Sequence, residues 1–536
     1  MPLIKDSPLQ GFSPASTILL RAFQMKIFKS TLLQEIETAT CEAQNIDSLE
    51  LLERTANAVC YELMSRFLQG QRFVVIAGPG NNGSVALAMA RLLFERGYRN
   101  LEIFLFNTGP RLSHDCDEER KKLITIDGID FTEVSREFSP PYLSENDVVV
   151  DALFGAGLTG PLAGGFAMLT RYCNDSGAYI ISLDIPSGLH GEVNVNILKR
   201  DVVHANLTLV FQLPRLSFFL SDNADLIGEW KLLDLEYDQA KIKDLHSDYM
   251  LVEAKSVRPL LRPRRPFTGK RDYGSAMIFA GSVGMMGAAV MCAQATMRSG
   301  AGLATVHSAW SGMKILQTAA PEVMFEPDRN EHFITDMTIH HAHQAVAVGP
   351  GIGTRDKTID ALESLLKNCK IPMLLDADAL NCIAKRPAML TMLPQNTILT
   401  PHIGEFDRLF GEHRSAEERL QKAIEMARYY NVIIVLKGHF TAIVRPTGRV
   451  YFNSTGNPGM ATGGSGDVLT GVIAACLAQG YRPEQAATMG VYIHGLAGDL
   501  AAQELGEVGM TASDISNYVG RAIRLIITRG ELPNPL

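Results

Sequence analysis

The sequence contains no CxxC pair; its eight cysteines (Cys41, Cys60, Cys116, Cys173, Cys292, Cys369, Cys382 and Cys476) are scattered, most of them inside apolar runs. This spacing excludes a disulfide framework and a thiolate zinc site, and it reads as the reduced core thiols of a cytoplasmic protein. Nor does any uninterrupted apolar run reach the roughly 18–20 residues that a membrane span requires. Residues 1–24 have no apolar stretch followed by a small-residue cleavage site, so no secretory signal is expected. A Lys/Arg-dense patch is also missing, and the net charge is −8. Nucleic acid and anionic membrane are therefore excluded as general partners, which leaves small molecules.

With 536 residues, 46% of them hydrophobic and 20% charged, the chain exceeds what one core covers, and at least two domains are expected. Met25 opens MKIFKSTLLQEIE, which reads as a natural start, so residues 1–24 are expected to be a poorly ordered extension. Continuous apolar runs follow: RFVVIAG (72–78), LEIFLF (101–106), DVVVDALFG (147–155), AYIISLDIPSG (178–188) and LTLVFQ (207–212). Helical patterns such as SVALAMARLLFERG lie between several of them. Apolar strands alternating with helices predict a parallel sheet covered on both faces. The polar stretch EYDQAKIKDLHSD and the Pro/Arg-rich RPLLRPRRP mark a linker, placed at 239–255 between domains at 25–238 and 256–536. The pattern then resumes with SAMIFAGS (275–282), LATVHSA (303–309), QAVAVGPGIG (344–353), PMLLDADAL (372–380), TILTPHIGEF (397–406) and NVIIVLKG (431–438). Two α/β domains of similar size are predicted.

In such folds ligands sit beyond the carboxyl ends of the strands, and that is where the unusual residues fall. AGPGNNG follows a strand and contains GxGxxG as Gly78, Gly80 and Gly83. Asn107 stands where a dinucleotide site needs an acid after the next strand, which disfavours hydride transfer. What remains is a tight turn, or a nest of backbone N–H groups beside Asn81 and Asn82 suited to an anion or to supplying oxygen ligands. DALFGAGLTGP ends a strand at Asp151, and SLDIPSGLHG places Asp184 and Ser187 on a stiff turn. Asn82, Asp151 and Ser187 would make a singly charged oxygen site suited to K⁺, unless they only cap turns and helices. Asp184 is left as an acid/base candidate.

The stretch GNPGMATGGSGDVLTG (456–471) sets Gly463, Gly464 and Gly466 at the start of a helix. Unpaired N–H donors and the positive end of the helix dipole converge there, an anion hole for phosphate. Asp467 beside it is either an N-terminal cap or a base that takes a proton from a hydroxyl being phosphorylated. VLKGHFT presents Lys437 and Thr441 after a strand, TPHIGEF presents His402, and GPGIG forms another bare loop.

GNPGMATGGSGDVLTG, LDADALN, LTPHIGEFDRL, VLKGHFT, VGPGIG and AGSVGMMGAA resemble the dehydratase half of the NAD(P)H-hydrate repair enzymes. AGPGNNG, DALFGAGLTG and LDIPSGL resemble their epimerase half, in the order of the bifunctional form and over nearly the whole chain from Met25. The resemblance implies a Rossmann-like doubly wound domain followed by a ribokinase-like α/β domain. It implies that ADP or ATP, with Mg²⁺, drives removal of water from S-NADHX and S-NADPHX. It assigns nucleotide binding to Lys437, Gly438, His439, Phe440, Thr441 and Gly466, and dehydratase substrate contact to Ala288, Gly351, His402 and Asp467, with Asp467 as the base. In the epimerase half it implies K⁺ near Asn82, Asp151 and Ser187. Substrate would lie along Asn81, Asn82, Gly83, Ser84 and Val85 and the loop Gly155, Ala156, Gly157, Leu158, Thr159, Gly160 and Pro161, with Asp184 acting on it. Assembly into a homo-oligomer is the expectation.

Two departures stand out. Ser84, Val85 and Ala86 replace the family's Gly-Asp-Gly, and FQLPRLSFF carries Arg215 and Leu216 where Lys and Gly are usual. Both point to weaker substrate binding in the first domain within an intact fold. A ribokinase-like small-molecule kinase with a non-catalytic first domain is the alternative that the anion hole alone leaves open.

Overall fold

The computed structural model describes residues 25–109, 111–194 and 197–528, so the expectation for residues 1–24 lies outside the described residues. Among the described residues two compact units emerge: Lys26–Tyr249 with Arg414–Arg419, and Met250–His413 with 420–528. Among the described residues no helix is long and apolar enough to cross a membrane.

The first unit holds β1 (Arg72–Ala77), β2 (Leu101–Phe106), β3 (Asp130–Val134), β4 (Asp147–Ala152), β5 (Tyr179–Leu183), β6 (Leu207–Phe211) and β7 (Glu229–Leu233). They form a parallel sheet in the order β3-β2-β1-β4-β5-β6-β7. This is the doubly wound Rossmann order, which reverses between β1 and β4 and opens a ligand crevice there. The apolar runs are continuous because both faces are covered. Phe73, Val75 and Ala77 enter one core with Val148 and Val150, while Val74 and Ile76 enter another with Val149.

The second unit holds β8 (Tyr249–Val252), β9 (Ser275–Phe279), β10 (Leu303–Ser308), β11 (Met324–Pro327), β12 (Ala345–Val348), β13 (Met373–Leu375), β14 (Ile398–Leu399), β15 (Ile433–Leu436), β16 (Ala442–Val444) and β17 (Val450–Asn453). Their order is β8-β17-β16-β15-β14-β13-β12-β9-β10-β11. The strands from β9 to β15 pair in parallel, and β16 and β17 join antiparallel. The apolar residues of the helix Ser465–Ala478, Val468 and Val472 among them, share a core with Leu374, Ile398 and Ile433.

The strands absent from the sequence reading include β3, β7 and β11, and each lies at a sheet edge. One side of an edge strand meets solvent, so DFTEV, EWKLL and MFEP carry polar residues and lack the buried-strand signature. The segment 239–255, expected as a linker, is ordered. It carries a helix, Gln239–Asp244, the strand β8 and a helical turn, Ala254–Val257. Asp238 caps that helix by accepting from Ala240 N and Lys241 N at 3.2 and 2.9 Å, which lets a polar stretch without strong periodicity become helical. The boundary between the units falls inside it, at Tyr249–Met250.

Candidate active sites

The crevice of the first unit is assembled at its topological switch point. The helix α1 (Asn81–Glu95) begins directly after β1, with Gly80 as its N-cap. Asn81, Asn82 and Gly83, expected in a tight turn or nest, form the first helical turn. The glycines are demanded by packing. A Cβ on Gly83 would come 1.8 Å from Gly78 O, and one on Gly78 would come 1.8 Å from Leu153 O. Strand, helix and the DALFG turn are thereby pressed together, which is the role of the last glycine in such fingerprints.

That close approach brings Asn82, Asp151 and Ser187 into one cluster. Asn82 Nδ2 donates to Leu183 O at 3.1 Å and to Phe154 O at 3.3 Å. Ser187 Oγ donates to the same Phe154 O at 3.2 Å and accepts from Phe154 N at 2.9 Å. Asp151 Oδ2 accepts from Ser182 Oγ at 2.7 Å and from Ser187 N at 2.9 Å. Burial pushes the Asp151 carboxyl up, against the lowering effect of the Ser187 and Ser182 hydrogen bonds. Asn82 Oδ1 is buried with no partner among the described residues. An orphaned carbonyl oxygen beside a carboxylate and a hydroxyl is a donor set that fits a hard monovalent cation.

Asp184 follows β5 with a φ of 63°, an uncommon backbone state for a residue with a side chain. In sequence it is an acid/base candidate with no assigned partner. Arg215 Nη2 instead donates to its Oδ1 at 2.5 Å, and both side chains are nearly buried. Ser84, Val85 and Ala86 are buried inside α1, whereas Asn81 is exposed. Along the 155–161 loop Gly157, Thr159 and Pro161 are exposed, and Gly155, Ala156, Leu158 and Gly160 are half-buried.

In the second unit the glycine turn leads into α2 (Ser465–Ala478), capped by Gly464 at a φ of 93°. A Cβ on Gly464 would meet Met291 Cε at 2.4 Å, so the bare backbone is fixed by packing as well as by conformation. Asp467 lies in the first turn of α2, half-buried. Burial, and then the charges of Asp376 and, to a smaller extent, Asp378 and Glu405, push its carboxyl up to about 7, against the opposing pull of Lys437. That pull is limited because Lys437 is engaged elsewhere, with Nζ 2.9 Å from Asp376 Oδ1 and 3.8 Å from Glu405 Oε2. Burial pushes the Lys437 ammonium down, but the Asp376 and Glu405 charges outweigh it and hold it above its ordinary range. A Cβ on Gly466 would lie 3.4 Å from Lys437 Nζ, so the expected nucleotide residues Lys437 and Gly466 meet. Thr441 Oγ1 donates to Gly438 O at 2.9 Å and closes the loop that carries His439 and Phe440.

Gly351, at a φ of 66°, packs against the turn before the Met286–Arg298 helix. A Cβ there would lie 2.7 Å from Met285 O and 3.3 Å from Ala288 Cβ, so Gly351 and Ala288 are neighbours. His402 caps the Ile403–Phe410 helix: its Nδ1 accepts from Glu405 N at 3.2 Å, and its own N donates to Glu405 Oε2 at 2.9 Å. The imidazole stays half exposed, so the cap and a ligand contact are compatible.

Sequence reasoning did not assign Asp376, Asp378, Glu405, Thr470 or Asp499. Thr470 Oγ1 donates to Asp376 Oδ2 at 2.7 Å, and Asp378 Oδ2 accepts from Gly353 N at 2.9 Å. Ala377 between the two acids has a φ of 49°, which turns them to different sides. Asp499 accepts from Gly456 N at 3.0 Å and from Asn457 Nδ2 at 3.0 Å, tying down the start of the glycine-rich stretch. The available signal was LDADALN itself, two acids at a strand end; Asp499 gave none, being one acid in the long helix Pro483–Leu505.

The profile of the NAD(P)H-hydrate dehydratase family matches residues 276–521, and that of the YjeF-related protein N-terminus matches 48–217. The bifunctional NAD(P)H-hydrate repair enzyme Nnr of Thermofilum pendens is 35% identical over 94% of this chain and 97% of its own. The enzyme of the same name from Coxiella burnetii is 33% identical over 91% and 97%. A solved ADP/ATP-dependent NAD(P)H-hydrate dehydratase from Bacillus subtilis, co-crystallised with ATP and Mg²⁺, is 32% identical. It covers 51% of this chain and 97% of that one, with a TM-score of 0.46.

Proposed function

The chain belongs to the family of bifunctional NAD(P)H-hydrate repair enzymes, and on that premise we propose that it returns hydrated nicotinamide cofactors to NADH and NADPH in two steps. The first unit interconverts the R and S hydrates; the second dehydrates the S form at the expense of ADP or ATP. The observation that carries the second step is Asp467, a carboxyl held near pH 7 at the mouth of a glycine turn. A base poised there matches the proton it must take at neutral pH.

The chemistry follows from this arrangement. Asp467 takes the proton of the ring hydroxyl as its oxygen bonds to the terminal phosphorus of the nucleotide, and the phosphoanhydride bond breaks. The amides of Gly463, Gly464 and Gly466 and the Lys437 ammonium receive the phosphate charge. The ring nitrogen lone pair then expels phosphate from the neighbouring carbon, and loss of a proton from the adjacent carbon restores the double bond. Lys437 to Thr441 hold the nucleotide, and Ala288, Gly351 and His402 contact the substrate. Mg²⁺ offsets phosphate charge when the nucleotide binds.

In the first unit Asn82, Asp151 and Ser187 would hold K⁺, a reading supported by the unpartnered Asn82 Oδ1. Such an ion would supply a fixed positive charge beside substrate lying along Asn81 to Val85 and Gly155 to Pro161, with Asp184 acting on it. A cytoplasmic location agrees with the free state of all eight cysteines.

The test is to give the protein a mixture of R and S hydrates with ADP or ATP and follow reduced-nicotinamide absorbance. Full recovery at one enzyme-dependent rate is expected. Recovery stopping at the S fraction would overturn the epimerase reading. A stable phosphorylated product without returning absorbance would replace the repair reading with the kinase.

A further inference from the structure

We propose that Arg215 is a positioning residue of the first unit, holding Asp184 so that one carboxylate oxygen is locked and the other is presented to the substrate. The inference rests on the epimerase reading above. Arg215 is nearly buried, and its Nη2 meets Asp184 Oδ1 at 2.5 Å while its Nη1 donates to Leu213 O at 2.5 Å. Phe211 N adds a longer contact to the same Oδ1 at 3.4 Å. Every side-chain hydrogen bond of Asp184 among the described residues thus goes to Oδ1, and Oδ2 is the oxygen left for a ligand.

The backbone adds its own constraint. Asp184 sits at a φ of 63°, and its N donates to Leu209 O at 2.7 Å, which fixes the direction in which the side chain leaves the chain. A non-glycine residue persists in that state only where its surroundings hold it, and Arg215 is the strongest of those surroundings. The other ionisable groups near the pair are Glu37 and Tyr237. Burial pushes the Glu37 carboxyl up, although the Tyr237 hydroxyl, which donates to its Oε1 at 3.1 Å, lowers it in part. Burial likewise pushes Tyr237 up and keeps it a neutral phenol. The carboxylate at hydrogen-bond distance from the guanidinium is that of Asp184. Buried ion pairs of this kind serve geometry more than net stability, and a carboxylate that must meet a small ring needs its geometry set in advance.

Two measurements on the full chain test this. In enzyme assays on R-NADHX, Arg215→Ala is expected to lower kcat at least tenfold with KM within about twofold. Arg215→Lys, which keeps the cation, should recover most of the loss, and dehydration of S-NADHX should be unchanged in both. A fall in KM-limited rate alone, or no rescue by lysine, would overturn the positioning role. In crystals of Arg215→Ala, Asp184 is expected to leave its rotamer and free Oδ1. If Asp184 stays in place, the proposal fails whatever the activity. If Asp184 moves but the unaltered protein gives no epimerisation above the spontaneous rate, the epimerase reading fails and the positioning role stands. Should the alanine variant not fold, Arg215→Lys and Arg215→Gln carry both measurements.

Discussion

Asp467 and Asp184 each stand at the carboxyl edge of a parallel sheet beside a glycine-bearing turn, and their surroundings treat them in opposite ways. Burial, and then the charges of Asp376, Asp378 and Glu405, push the Asp467 carboxyl up to about 7 against the pull of Lys437, which is bound to Asp376. Asp184 has a guanidinium of its own at 2.5 Å. A cation already paired to a third residue leaves a neighbouring acid basic, whereas one paired directly fixes the acid in place. One fold class thus holds one aspartate with a raised carboxyl and another fixed in an ion pair.

The largest expected effect that would break this contrast is at Asp467. Asp467→Asn keeps the shape and removes the base, and dehydration should fall by about 10²–10⁴-fold, followed as returning absorbance. Stability should move the other way. The carboxyl titrates near 3.8 when exposed and near 7 in the fold, so between these values the folded chain binds the extra proton and loses stability as pH rises. The Asn variant should then melt higher than the unaltered chain at pH 8 and equally at pH 4; a lower melting temperature at pH 8 would contradict the raised carboxyl.

Next in size is a pH effect. Dehydration kcat/KM should drop about tenfold per unit below pH 7 as Asp467 takes up its proton. A flat profile down to pH 5 would remove Asp467 from the base role.

Smaller and confined to the first unit is the effect of Val85→Asp, which restores the family's acid. Val85 is 6% exposed within α1, so the new carboxylate would be buried and should destabilise the chain by about 3 kcal/mol in denaturant titration. A stable variant with faster epimerisation would mean that the helix start opens to admit the acid. The smallest expected effect is replacement of K⁺ by Na⁺. Epimerisation should slow a few-fold and dehydration should hold, because the Asn82, Asp151 and Ser187 set, with its unpartnered Asn82 Oδ1, lies in the first unit.

The two sheets were legible because interior parallel strands are written as unbroken apolar runs, such as VVV (148–150) and VVIA (74–77). Edge strands such as DFTEV were not, since half their residues answer to solvent. Candidate site residues stood out where glycine density marked a turn, as at Gly463 to Asp467. They were hidden where the decisive fact was a partner far along the chain: Lys437 engages Asp376 across 61 positions, and Arg215 engages Asp184 across 31. The departure at Arg215 was visible in the sequence, but its meaning lay in the contact it makes.

Ala377 carries one further consequence. Two acids separated by a single residue in an extended strand would share a side and repel. The left-handed backbone at Ala377 splays them, Asp376 toward Lys437 and Thr470 and Asp378 toward Gly353 and Asn381. That turn lets two acids of separate partners be packed into a tripeptide, and with a φ of 49° and a ψ of −120° it favours glycine at the middle position.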